Sequence, residues 1–104
     1  MVEIAPSGKR LRILQLLLDH GELTGAELLD LDDSLPRGTI YTTLRRLQDD
    51  KLVTSRQEVD KGQPGPPRRL YKITAFGMRA AKLGEYAQAV MSGARSVAIP
   101  RGRL

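Results

Sequence analysis

Between Pro36 and Asp50 the chain reads PRGTIYTTLRRLQDD, and two kinds of residue are sorted within it. Ile40, Leu44 and Leu47 recur at i, i+4 and i+7, which places them within about 60° of one another on a helix turning about 100° per residue. Gly38, Thr42, Arg45 and Asp49 fall on the other side, flanked by Thr39 and Arg46. Threonine hydroxyls bond base edges or phosphates, arginine pairs bidentately with guanine, and glycine lets another backbone come close. A face selected for solubility alone would carry Glu and Lys pairs, because threonine is a mediocre helix former. Taken singly, each residue is equally well read as solvated surface. As a set they predict a helix with one side in a core and the other in a DNA major groove.

The surrounding elements are those needed to hold such a helix. KRLRILQLLLDHG places Leu11, Leu14, Leu17 and Leu18 on one stripe, widened by Ile13 and Leu16, and predicts a helix closed by Gly21. Thr24 and Glu27 have the spacing of a capping box and open a second, shorter helix carrying Leu28 and Leu29. Pro36 suits the first turn of the third helix, expected over 36–50. LVTSRQEV (52–59) and RRLYKIT (68–74) alternate as two strands around the loop DKGQPGPP, where Gly and Pro exclude helix.

Helix, helix, helix, strand, loop, strand is the order of a winged helix-turn-helix. The expected fold is thus mostly α with a small β-hairpin: a three-helix cluster and a two-stranded wing. The wing presents Lys61, Arg68 and Arg69 to phosphates or the minor groove.

After Thr74, a plausible N-cap, Phe76, Ala80, Leu83, Ala87, Val90 and Ala94 recur in alternating steps of four and three. That heptad seam needs a partner helix. The partner is the first helix of the same chain or, favoured here, a second copy. The resulting division is a flexible N-terminus (1–8), the DNA-binding domain (9–74), a C-terminal dimerisation helix (75–95) and a mobile basic tail (96–104).

Composition narrows the alternatives. At 104 residues the chain has room for one ordinary core. Without cysteine it holds neither disulfides nor thiolate metal sites. No apolar run reaches membrane-spanning length and the N-terminus lacks a signal-peptide centre, so a cytoplasmic protein without membrane contact is expected.

Lys and Arg minus Asp and Glu give 3 − 7 = −4 over residues 1–35, 9 − 4 = +5 over 36–73 and 5 − 1 = +4 over 74–104. The basic charge begins with the third helix, as a polyanion partner requires. The single histidine, His20, suits a helix C-terminus better than general-base work. DLDD at 30–33 lacks the Gly and distal Glu of a calcium loop. No catalytic constellation or metal cluster is present, no cofactor is implied, and an enzyme is not expected.

GTIYTTLRRLQDDKLV (38–53) resembles the recognition-helix signature of PadR-type transcriptional regulators: Gly, Thr, an aliphatic residue and Tyr, followed by Leu-x-x-Leu and a short link to the wing. RRLYKITAFG, holding Arg69, Tyr71, Ile73, Thr74 and Gly77, is similar to that family's second wing strand and its entry into the C-terminal helix. The resemblance covers roughly residues 10–90. It departs at Thr42, where the family usually has Pro.

The resemblance implies a homodimeric repressor of a pseudo-palindromic operator, released by a small-molecule effector or stress signal. Its C-terminal helix would dimerise. Thr39, Tyr41 and Thr42 would make backbone and base contacts, joined by Arg37, Gly38, Arg45 and Arg46 on the same helix. The competing reading is a winged-helix protein–protein adaptor without DNA binding. Arg45 and Arg46 speak against it, since an adaptor has no reason to present arginines on the groove face. RNA binding is weaker still, for want of exposed aromatic platforms.

Overall fold

The computed structural model describes residues 5–58 and 68–91. Lys61 and the rest of the wing loop, Ala94 and the tail lie outside the described residues.

Helix α1 (Gly8–His20) is the central element, burying Leu11, Ile13, Leu14, Leu16 and Leu17. Those five cover more than half of its circumference, the arc of the widened stripe, whereas Leu18 in the last turn is 40 % exposed. Gly21 ends the helix at φ 85°, in the left-handed region that favours glycine, and its N–H reaches the Leu17 carbonyl at 2.9 Å. Residues 5–8 depart from the expected flexible N-terminus: Pro6 is buried and Gly8 already belongs to α1.

Strand β1 (Leu23–Thr24) and helix α2 (Gly25–Leu31) follow, joined by the capping box. The Thr24 hydroxyl accepts from the Glu27 N–H at 3.1 Å, and the Glu27 carboxylate accepts from the Thr24 N–H at 2.8 Å. Beyond α2 the acidic stretch folds onto Asp32. Its carboxylate accepts from the Ser34 N–H and hydroxyl at 2.9 and 2.6 Å and from Arg12 of α1 at 2.6 Å. These bonds to Ser34 and Arg12 hold the Asp32 carboxyl down at about 2. Leu35, buried just after, anchors the turn to the core.

The third helix starts later than the proline suggested. Pro36 is extended (φ −73°, ψ 124°), Arg37–Thr39 form one 3-10 turn, and helix α3 runs Ile40–Asp49. Thr39 at φ −123° interrupts α-helical geometry, and Gly38 beside it favours helix least of the ordinary residues. Ile40, Leu44 and Leu47 are fully buried as expected, but Thr43 is buried with them and is not part of the exposed face.

Strands β2 (Val53–Glu58) and β3 (Arg68–Ile73) pair antiparallel, with Ser55 opposite Tyr71 and Gln57 opposite Arg69. The wing is nevertheless one edge of a three-stranded sheet rather than a lone hairpin. β1 adds to the free side of β3, Leu23 opposite Tyr71, giving the order β1-β3-β2. Val53, Tyr71 and Ile73 turn one sheet face into the core; the other carries the exposed pairs Glu22–Arg56 and Glu58–Arg68.

Helix α4 (Ala75–Met91) is capped by Thr74, whose hydroxyl accepts the Gly77 N–H at 2.8 Å. Its buried residues are Gly77, Ala81 and Gly84, spaced i, i+4, i+7. A Cβ on Gly77 would collide with the Leu52 carbonyl oxygen, and one on Gly84 with that of Pro6. Both glycines let backbone approach the helix directly. The small-residue face thus packs on the Leu52 turn, on Ile73 and on the start of α1, while most of the heptad seam stays exposed: Phe76, Leu83 and Val90 are 39, 52 and 49 % exposed, Ala87 is half-buried, and Ala80 is half-buried against the core.

Candidate nucleic-acid interface

Helix α3 separates its two faces as the sequence requires. With Ile40, Thr43, Leu44 and Leu47 inside, the exposed side presents Tyr41, Thr42, Arg45, Arg46 and Asp49, and the preceding 3-10 turn adds Arg37, Gly38 and Thr39. Four other arginines are ion-paired, Arg10 with Asp50, Arg12 with Asp32, Arg56 with Glu22 and Arg68 with Glu58, whereas Arg69 and Arg79 have no ion pair among the described residues. Among the described residues Arg37, Arg45 and Arg46 have no such ion pair. Positive charge is thus left unbalanced where the groove face was expected.

The wing delivers its two arginines differently. Arg68 lies on the sheet face opposite Tyr71 and bonds Glu58 at 3.0 Å. Both partners are largely exposed, so this pair holds the arginine weakly and a phosphate can exchange for the carboxylate at little cost. Arg69 lies on the same strand face as Tyr71 and donates to the Ser55 hydroxyl at 3.0 Å. Ser55 in turn donates to the Gln48 side-chain carbonyl at 2.8 Å. This relay joins β3, β2 and α3, and ties a wing arginine to the flank of the helix it accompanies.

On that flank, Tyr41 and Gln48 are seven residues apart and so about 20° apart around the axis. Between Tyr41 and the sheet lies an open hollow of about 360 Å³, lined by Thr24, Gly25, Ala26, Tyr41, Arg68, Arg69 and Tyr71. Tyr41 is 55 % exposed, yet the outer edge of its ring rests on α2. A Cβ at Gly25 would stand 2.5 to 2.7 Å from its Cε1, Cζ and hydroxyl oxygen. Across the hollow, burial pushes the Tyr71 phenol up, opposed by the neighbouring Arg69 charge.

The motif that positions Tyr41 and Arg45 matches a known family over most of the chain. Residues 13–83 fit the pattern of the transcriptional regulator PadR-like family. This chain belongs to that family. The transcriptional regulator Rv3488 of Mycobacterium tuberculosis is 35 % identical over 101 residues, covering 89 % of this chain and 92 % of that protein.

A PadR family regulator from Eggerthella lenta shares the fold at TM-score 0.69, with 22 % identity, over 89 % of this chain and 83 % of its own. Bacillus subtilis PadR, solved in complex with operator DNA, does so at TM-score 0.63 and 22 % identity, over 71 % of this chain and 44 % of its own. The fold is the PadR-type winged helix, and the chain is a transcriptional regulator, not an enzyme. No helix among the described residues is long and apolar enough to cross a membrane.

Three residues escaped the sequence reading. Gly25 was legible only as the residue after a cap, Ser55 only as one position in an alternating strand, and Gln48 only as a polar residue near the end of a helix. Their connection needs the β2–β3 register and the crossing of α2 by α3. Of the expected DNA-binding set, the structure brings Arg37, Gly38, Thr39, Tyr41, Thr42, Arg45 and Arg46 together on α3 and its leading turn, ties Arg69 to α3 through Ser55, and pairs Arg68 with Glu58 at the wall of the hollow.

Proposed function

We propose that this PadR-family regulator is a DNA-binding repressor. It works as a homodimer on a pseudo-palindromic operator, inserting α3 into the major groove and laying the wing on phosphates or in the minor groove. The observation that carries this reading is the α3 surface, where Thr42, Arg45 and Arg46 are exposed and neither arginine has an ion-pair partner among the described residues. Arg45 has the reach for a bidentate guanine pair, and Asp49 on the same face can accept from cytosine. Arg37, Gly38, Thr39 and Tyr41 approach the backbone at the start of the helix, with Arg69, Lys61 and Arg68 from the wing. Bacillus subtilis PadR, a fold relative crystallised with operator DNA, supports the reading.

For the dimer, the support is the largely exposed seam of α4, since the helix's small-residue face is already packed within the chain. The protein acts in the cytoplasm, and a small-molecule effector relieves repression.

Fluorescence anisotropy against a duplex from the chain's own upstream region and a scrambled duplex, at two salt concentrations, tests the reading. The upstream duplex binds at least about a thousandfold tighter than the scramble, and salt weakens both. Arg45→Ala costs about 1–3 kcal/mol on the operator and relaxes sequence preference. Equal losses on both duplexes remove base reading from Arg45. No binding to either at low salt hands the α3 face to a protein partner.

A further inference from the structure

Glycine at position 25 is not demanded by its backbone, which lies outside the left-handed region, nor by the capping box, which uses Thr24 and Glu27. In the first turn of α2 it costs helix stability relative to alanine. The three atoms nearest to a Cβ there all belong to Tyr41, at 2.5 to 2.7 Å. The absent side chain leaves a seat, and the ring of Tyr41 fills it.

We infer that Gly25 is a positioning residue for DNA binding: the seat fixes the Tyr41 ring against α2 and so aims its hydroxyl at the DNA backbone. This rests on the regulator reading of the α3 face. Tyr41 is half exposed and attached to the first turn of α3, so without the seat its ring has no partner on the solvent side and sweeps the mouth of the hollow. Seated, it stands on the flank that also carries Gln48, with Arg69 held nearby through Ser55. The Tyr41 phenol and the Arg69 guanidinium then line the same hollow, with Arg68 also at its wall. A phosphate oxygen accepts from both, and each donor gains from the other's being in place beforehand rather than ordered on contact.

The obstacle to a side chain at position 25 is the far end of an exposed ring, not backbone, which makes the site testable without unfolding the protein. Gly25→Ala displaces the ring and favours the α2 helix, so the unfolding midpoint holds or rises. Affinity for the upstream duplex falls roughly tenfold, the value of one hydrogen bond to a charged group. In a Tyr41→Ala background the same change has no further effect, and this coupling is what a merely structural glycine would not produce.

Ring position is read separately by NMR, as a ring-current shift of the Gly25 protons that disappears in Tyr41→Leu. Wild-type affinity in Gly25→Ala, additive losses in the double variant, or no ring-current shift overturns the role of Gly25 while leaving the regulator reading intact. Failure of the unaltered protein to bind either duplex removes the regulator reading, and the aiming role with it, even where the ring-current shift is present.

Discussion

Gly77→Ala puts one methyl group into the tightest backbone approach found at any described glycine. The Cβ would lie against the Leu52 carbonyl oxygen, with the Ile73 Cγ1 at 2.8 Å, so no side-chain rotation relieves it. Helix α4 must move away from the turn that ends α3. Thr74 ties that turn to the start of α4: its N–H donates to the Leu52 carbonyl at 3.0 Å, and its hydroxyl donates to the Lys51 and Leu52 carbonyls at 2.8 and 3.1 Å.

Overpacking of this kind costs about 1–3 kcal/mol. Losing one or two of the Thr74 bonds adds about 1 kcal/mol each. Better helix propensity returns about 1 kcal/mol. The net is a destabilisation of about 1–4 kcal/mol, which for a domain of this size lowers the thermal midpoint by roughly 10–20 °C near the middle of that range.

Urea and thermal unfolding followed by circular dichroism measure it, at one protein concentration so that the proposed dimer contributes equally to both proteins. Gly84→Ala is the internal comparison. Its obstacle is the Pro6 carbonyl, on a segment ahead of α1 that can shift without disturbing the sheet, so its cost is about 1 kcal/mol or less. A Gly77→Ala protein within about 0.5 kcal/mol of wild type, or a larger loss at Gly84, refutes the argument that backbone approach dictates these glycines.

Asp32 gives a pH dependence with a definite sign. Its folded carboxyl, near 2, lies below the ordinary 3.8, so the stability it contributes is present above about 4 and lost as pH falls toward 2. Unfolding midpoints between pH 5 and pH 2 fall less steeply in Asp32→Asn than in wild type, and parallel slopes assign the acid sensitivity to other groups. For the α4 seam, Leu83→Glu places a charge where two apolar helices would meet, and sedimentation then finds monomers. A persistent dimer moves the interface off Leu83.

The face of α3 was readable because both its properties are local: three apolar residues at helical spacing, and polar residues that good helix design would not select. Its starting point was less so, since Pro36, Gly38 and Thr39 permit either an α-helical turn or the observed 3-10 turn. β1 is two residues long, too short for alternation to register, and exists only because Tyr71 and Leu70 of β3 offer it partners.

In α4 the heptad seam is conspicuous, whereas the buried face consists of Gly77, Ala81 and Gly84 and leaves almost no hydrophobic trace. Small residues announce close packing only once the neighbour is known. The same holds for Gly25, whose meaning is written sixteen residues away, at Tyr41.

The Thr74 joint carries a mechanical consequence. The turn that follows α3 and the residue that caps α4 meet at one carbonyl, that of Leu52, so a single short link couples the two helices. α4 is 17 residues long, an arm of about 25 Å. Swinging that arm by about 10° displaces its far end by roughly 4 Å. In a dimer joined along the two arms, the angle between them becomes a ruler for the distance between the paired reading heads, which operators set at about 34 Å. A molecule that wedges the arms apart would need no contact with DNA or with α3 to put that distance out of register.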